Sequence, residues 1–423
     1  MKVLQQHSKN TRLLKTKIHI EGRIMGKKSF NKRIFVICVA FLLAIAAGII
    51  FAISKSHNKP AVIGFYDFDA EYAGSFKKLL ETDSSFKYEF KSLSEKEVLS
   101  KNITKKIDIL ISPNSAITQR LAYAAIPLSE SILARIPQTI KNSELYKYNE
   151  QTVIMPLAID QFETSILSTT YKRYKMKVPQ TVNEISDFAG FSKVHYETPI
   201  GIAGGEDINI NSLFSLLVDS YGGKDAYFNM VQQLKTTVNF DDFYEYKIGG
   251  NADPELKVKD LLNIIRGWQE NRYMPDNWKQ ATAQNNANLI DDNRVTLNFM
   301  NLSEHRSKPF PNIAYFETIE FPSETKAAHV SVQPVITAMA FKNTEAIRIG
   351  LNRLSTEKNQ GTVSLITKLG PATLTGTACD KQADDARFFA ATTEGGPVPD
   401  LGSLAFEKQT DRHALAQAIR NWF

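Results

Sequence analysis

Seven residues fall where an apolar run is about to end: Asp67 and Asp69 in "FYDFDAE", Asn114 after "ILISP", Asp160, Gln161 and Phe162 after "MPLAI", and Asn301 after "VTLNFM". In an open α/β sheet the ligand crevice lies off the carboxyl ends of the strands, so these positions are where a solute would be met. Residues 160–162 supply a charged acceptor, a donor and acceptor amide, and a flat apolar face, a set that suits a polyhydroxylated ligand. The plainer role for any of these acids is to cap a loop or form a turn.

Other chemistries leave no written pattern. Beyond the N-terminal apolar run the histidines are His57, His195, His305, His329 and His413, none three or four residues from another, and the only cysteine is Cys379. Zinc and copper sites of the common kinds need closer ligand spacing, so neither a metal nor a cofactor is expected. No nucleophile elbow, phosphate-binding loop or dinucleotide fingerprint occurs, and "GIAGGED" reads as a tight turn. Nothing in the sequence points to an enzyme. With one cysteine no internal disulfide can form there, and stability must come from packing.

The elements that would carry the seven residues alternate. "AVIGFYD", "KYEFKSL" and "IDILISP" read as strands, separated by the helical stretches "YAGSFKKLLETD" and "SEKEVLSKN". That order implies a parallel sheet covered by helices, an α/β design. Ser94 with Glu97, and Thr181 with Glu184, are capping-box pairs that mark helix starts. Further on, "NSLFSLLVDSYGG" reads as a helix stopped by Gly222, and another is predicted to open at Asp253 and Pro254. "HVSVQPVITAMAF" alternates like a strand, "NTEAIRIGLNRL" follows as a helix, and "DRHALAQAIRNWF" ends the chain as an amphipathic helix.

Charge separates the start of the chain from the rest. The first 33 residues hold ten Lys or Arg and one acid, so the net charge of +6 belongs to them, and 41 basic against 44 acidic residues remain, a net of −3. The exported part is therefore a poor nucleic-acid binder. Ile34 to Ile53 are 20 residues without a charge, about 30 Å as a helix and long enough to span a bilayer. The basic flank would stay in the cytoplasm and meet anionic headgroups, placing everything from Ser54 onward outside. No small-residue cleavage site ends the run, which favours an uncleaved anchor; Met25 is an alternative start, since the "GKKSFNKR" that follows it has the form of a signal n-region.

"MPLAIDQFETSILSTTYKRYKMKVPQTVNEI" resembles the signature of the family 1 extracellular solute-binding proteins of ABC importers, the maltose-binding-protein group. "ANLIDDNRVTLNFMN", "IAYFETIEFPS" and "VSVQPVITAMAFKNTEAIRIGLNRL" are similar to later segments of that family and keep its order. Ser168 and Thr169 stand where the family writes Asn-Lys, and Val182 where it writes Trp. The resemblance implies a two-lobed α/β fold of the type 2 periplasmic-binding class and a non-enzymatic protein that binds a small solute, carbohydrate favoured, between hinged lobes for delivery to ABC permease subunits. Charge and hydropathy lead to the expectation of a basic tail at 1–33, a transmembrane anchor or signal at 34–53 and a linker at 54–60, and the resemblance implies lobe 1 at 61–158 with a return at 319–354 and lobe 2 at 159–318, leaving a helical C-terminal region at 355–423. Asp67, Asp69, Asn114, Asp160, Gln161, Phe162 and Asn301 would converge on the solute. A sensor or scaffold of the cell envelope with the same fold is the alternative, and an envelope enzyme whose triad is assembled only in space is the third reading.

Overall fold

Two main sheets hold ten of the fourteen strands among the described residues, and the other four form two small pairs. The computed structural model describes residues 59–67, 70–82, 86–306 and 315–423; the predicted tail, the apolar run at 34–53 and most of the linker lie outside them, as does Asp69. Among the described residues no helix is long and apolar enough to cross a membrane. In chain order the strands are β1 (Ala61–Phe65), β2 (Tyr88–Ser92), β3 (Ile109–Pro113), β4 (Lys147–Tyr148), β5 (Gln151–Thr152), β6 (Met155–Ile159) and β7 (Phe162–Leu167). They continue with β8 (Ile200–Ile202), β9 (Leu297–Asn301), β10 (Phe316–Ile319), β11 (Ser331–Val332), β12 (Val335–Ala340), β13 (Gly370–Pro371) and β14 (Pro397–Val398).

The larger sheet has the order β13-β6-β12-β3-β1-β2 and the smaller β10-β7-β9-β8. The first three strands pair in parallel, as the strand, helix, strand grammar dictates. β12 then enters antiparallel between β3 and β6, so the sheet is mixed rather than wholly parallel. β6 and β12 are buried along their whole length, consistent with central strands covered on both faces. β1 and β3 each carry one half-buried residue.

Pro60–Phe423 form one compact unit in which the chain passes between the sheets three times. The first passage takes two residues, Asp160 and Gln161, between β6 and β7. The second runs from β10 to β12, and the third follows the helix Lys381–Thr392. The latter two run side by side where β11 pairs in parallel with β14.

Local signals and tertiary demands part company at three places. The helix predicted to stop at Gly222 belongs to a segment Asp207–Thr236 that resumes after a break at Gly223, where φ is 72° and ψ −171°. A Cβ at Gly223 would lie 2.7 Å from that of Ala327 and 2.9 Å from the Ala328 carbonyl oxygen, so glycine both permits the break and lets the second passage run against it. The Lys224 N–H freed there donates to Ala328 O at 2.7 Å. The helix expected at Asp253 begins at Val258 instead, because Asp253 accepts the Glu255 N–H in a turn and Asp260 accepts the Lys257 N–H at the true start. At Thr181 the hydroxyl caps Glu184 as expected, but the Glu184 carboxylate reaches back to the Gln180 N–H rather than to Thr181.

Candidate functional site

β6 delivers Asp160 to the boundary of the two sheets. Its five residues are buried, and directly after them Asp160 donates its backbone N–H to Pro334 O at 2.8 Å, so the first and second passages are bonded to each other. Asp160 Oδ1 accepts the Ser303 N–H at 2.8 Å and Oδ2 accepts the Ser303 hydroxyl at 2.6 Å. Ser303 lies in the first turn of the helix Leu302–Arg306, whose leading amides have no intrahelical acceptor. That helix directly follows β9, and Asn301, the last residue of β9, is in register with Phe162.

A chain of amides extends this cluster. Asn301 Nδ2 donates to Asn209 Oδ1 at 3.2 Å, and Asn209 Nδ2 donates to both carboxylate oxygens of Glu304, at 3.0 and 2.9 Å. Burial pushes the Asp160 carboxyl up to about 6, against the lowering effect of the Ser303 bonds. Burial likewise pushes Glu304 up to about 7, with Asp160 and Glu206 adding repulsion and the Asn209 amide opposing it. The cluster thus holds two largely buried acids that gain or lose protons near neutrality, ringed by amides and a hydroxyl. It can accept and donate hydrogen bonds to a ligand rich in hydroxyls.

The other predicted residues are placed elsewhere. Asp67, with φ 51°, accepts Arg412 Nη1 at 3.3 Å and Gln409 Nε2 at 3.5 Å, both from the C-terminal helix Gln409–Asn421. Just before that helix Glu407 pairs with Arg120 at 2.9 Å, and the Gln409 N–H donates to Glu95 at 2.7 Å. The far end of the helix is held by the smaller-sheet side, where Arg420 pairs with Asp207 at 2.7 Å and donates to the Gly204 and Gly205 carbonyls. Asn114 is buried and its Oδ1 accepts from Thr118 and Gln119, so it ties a helix start rather than facing an opening. Asp160 and Asn301 are brought together; Asp67 and Asn114 do not join them.

Gln161 and Phe162 line a separate cavity of about 390 Å³. Its walls come from all three passages: Gln161 and Phe162 from the first, the stretch Phe321–Val332 from the second, and Phe389 and Thr393 from the approach to the third. In one wall His329 Nδ1 meets Asp219 Oδ2 at 3.0 Å and Nε2 meets Ser323 Oγ at 2.6 Å. The order Ser, His, Asp is that of a hydrolytic triad, but the Ser323 hydroxyl donates to Thr325 O at 2.5 Å and Asp219 also accepts the Val330 N–H at 2.9 Å. The hydroxyl proton is therefore spent on the backbone, and the string acts as a tie between the helix Asp207–Thr236 and the second passage. The hydrogen bond with Asp219 holds the His329 ring above the usual imidazole range.

With this geometry in place, comparison with solved structures is decisive for the fold. The bacterial solute receptor AcbH, described as having an exclusive preference for β-D-galactopyranose, superposes with a TM-score of 0.66 at 12% identity, over 86% of this chain and 98% of that one. The fold is that of the solute receptors. A binding protein MsmE from Bacillus subtilis in an open conformation matches with a TM-score of 0.66 at 11% identity, over 86% of this chain and 93% of that one. RafE from Streptococcus pneumoniae matches at 0.60 and 14%, over 86% of this chain and 98% of that one. No family model and no curated protein sequence matches the chain. The two-lobed α/β architecture expected from the resemblance is thus present.

Among the described residues no group of three or more His, Cys, Asp or Glu side chains could hold a metal ion. Ser303, Asn209 and Glu304 were not singled out by sequence reasoning. Ser303 is 143 residues from Asp160 and Asn209 is 92 from Asn301; the pairing of β7 with β9 closes the first gap and the packing of the helix Asp207–Thr236 against β9 closes the second.

Proposed function

We propose that the protein is an extracytoplasmic, non-enzymatic solute-binding protein that takes a small hydroxyl-rich solute, carbohydrate favoured, between two hinged lobes and passes it to the permease of an ABC importer. The observation that carries this reading is the cluster of Asp160, Ser303, Asn301, Asn209 and Glu304 at the two-residue passage between the sheets. There a small change of backbone angles swings one sheet against the other, and a solute held by both sides stabilises the closed form. In this reading Asp67 belongs to the rim of the cleft, Gln161 and Phe162 lie behind its floor and Asn114 supports it from within, while Asp69 is retained from its sequence position alone. The lobes follow the boundaries expected above, and the run at 34–53 tethers the protein to the membrane with residues 1–33 inside.

A thermal-shift and calorimetric screen of the full chain against galactose, raffinose, stachyose and xylo- and chito-oligosaccharides tests the reading, because a ligand of the folded state raises the melting point by mass action. Asp160→Ala should weaken the best binder by about 1.5–3 kcal/mol, the range for a hydrogen bond to a charged group. Unchanged affinity removes Asp160 from the site. Mass spectrometry of the mature N-terminus tests the tether, and a start beyond Ala46 refutes it.

A second reading, a sensor or scaffold of the envelope, is favoured by one observation. The C-terminal helix is bonded to Asp67 at one end and to Asp207 at the other, so the protein's own chain bridges the two sides. Failure of every solute class to bind would select it.

A further inference from the structure

The cavity behind the passage has no part in the solute reading, yet it has the features of a site. Its volume of about 390 Å³ falls inside the ~300–1,000 Å³ range of small-molecule pockets. Two of its lining side chains are buried and incompletely bonded: Gln161 is 6% and Thr164 2% exposed, and neither Gln161 Oε1 nor Thr164 Oγ1 has a hydrogen-bond partner among the described residues. A buried polar atom that lines a cavity without a protein partner is free to bond whatever enters the cavity. The charges inside are already matched, since Asp219 is paired with His329, and the exposed rim carries one acid and one base, Glu320 and Lys326. The remaining walls include the rings of Phe162, Phe321 and Phe389. Unsatisfied acceptors beside apolar rings, with no uncompensated charge, select a neutral molecule that has hydroxyl donors on one edge and a hydrocarbon face.

We propose that this cavity is a second small-molecule site, for a neutral hydroxyl-rich ring of monosaccharide or cyclitol size, distinct from the cleft at Asp160. Because its walls come from all three passages, the cavity must change shape whenever the sheets move against each other, and its occupant biases that movement. The inference does not depend on what the cleft binds.

The test uses the full chain with two probes, myo-inositol and D-glucose, followed by ligand-observed NMR and calorimetry into the millimolar range. Wild type should bind at least one of them. Gln161→Leu should weaken that binding roughly ten-fold, the effect of losing one good hydrogen bond. Thr393→Trp, which fills the cavity from its rim without touching a buried hydrogen bond, should do the same and covers the case in which Gln161→Leu folds poorly. Asp160→Asn should leave the affinity within about two-fold. Absence of binding by both probes, with water alone in the cavity, overturns the proposal while leaving solute binding in the cleft to be judged by its own screen. Binding that is lost in Asp160→Asn and kept in Gln161→Leu and Thr393→Trp also overturns it, and places the probe in the cleft.

Discussion

Asp160 and Gln161 are consecutive, yet the two surroundings they reach are built differently. On the Asp160 side the polar groups are acids held by a helix-start amide, a hydroxyl and two Asn side chains, with burial pushing Asp160 and Glu304 toward neutrality. On the Gln161 side the acid, Asp219, is matched by His329, and the polar atoms left without partners are neutral. One strand end thus feeds a proton-sensitive cluster and an electrostatically quiet cavity. Which of the two a residue joins is settled by the element packed opposite, not by the strand that carries it.

The difference can be broken most severely at Asp219. Asp219→Ala leaves His329 and the Val330 N–H without their acceptor in a buried wall, and should destabilise the fold by about 3 kcal/mol in urea or guanidinium titrations, the low end for breaking a buried pair. A loss below about 1 kcal/mol would show that the wall tolerates an open charge.

The next effect is a pH dependence. Asp160 and Glu304 bind protons more tightly when folded than unfolded, so between about pH 4 and pH 7 the native state holds more protons and stability falls as pH rises. His329 has the same sign: its tie to Asp219 contributes fully below the ordinary imidazole value and is lost as pH rises through the raised one. The melting temperature should therefore be higher at pH 5 than at pH 8, by the equivalent of about 2 kcal/mol. The double variant Asp160→Asn, Glu304→Gln should flatten most of the slope. A slope unchanged in that variant would assign the effect to other groups.

Smaller still is the bridge at the rim. Arg412→Ala removes a 3.3 Å pair with a partly exposed Asp67 and should cost at most about 1 kcal/mol of stability. Small-angle scattering should nevertheless show a more open particle without solute, and an unchanged scattering curve would mean the bridge does not restrain the lobes. The least effect belongs to Gln161→Leu, which removes an oxygen that has no partner and should leave stability within about 0.5 kcal/mol of wild type.

Much of the fold was legible because it is written locally. The apolar runs of β1, β3, β6 and β9 are period and composition signals, and the capping box at Ser94 forms as predicted. What was not legible depends on distant partners. Gly222 and Gly223 read as a stop, yet Ala327 and Ala328 arrive from another passage and the chain resumes its helix. Asp253 and Pro254 have the residue types of a helix start, but the turn uses the carboxylate first. For the site, position at a strand end was readable for Asp160 and Asn301. The separation of Gln161 from Asp160, and the burial of Asn114, required the neighbouring elements.

The place of β12 governs the timing of synthesis. It lies between β3 and β6, so before residues 335–340 exist the larger sheet consists of two unjoined pieces, whereas all four strands of the smaller sheet lie within 162–319. The segment made first is thus completed last. At ~5–20 residues per second the roughly 180 residues from β6 to the end of β12 take about 10–35 s to make. During that interval β3 and β6 present open edges of the kind that pair with the wrong chain. A holding chaperone would therefore find its work in the hundred residues that follow Pro60, and a truncation just short of β12 should leave a soluble smaller sheet attached to an aggregating remainder.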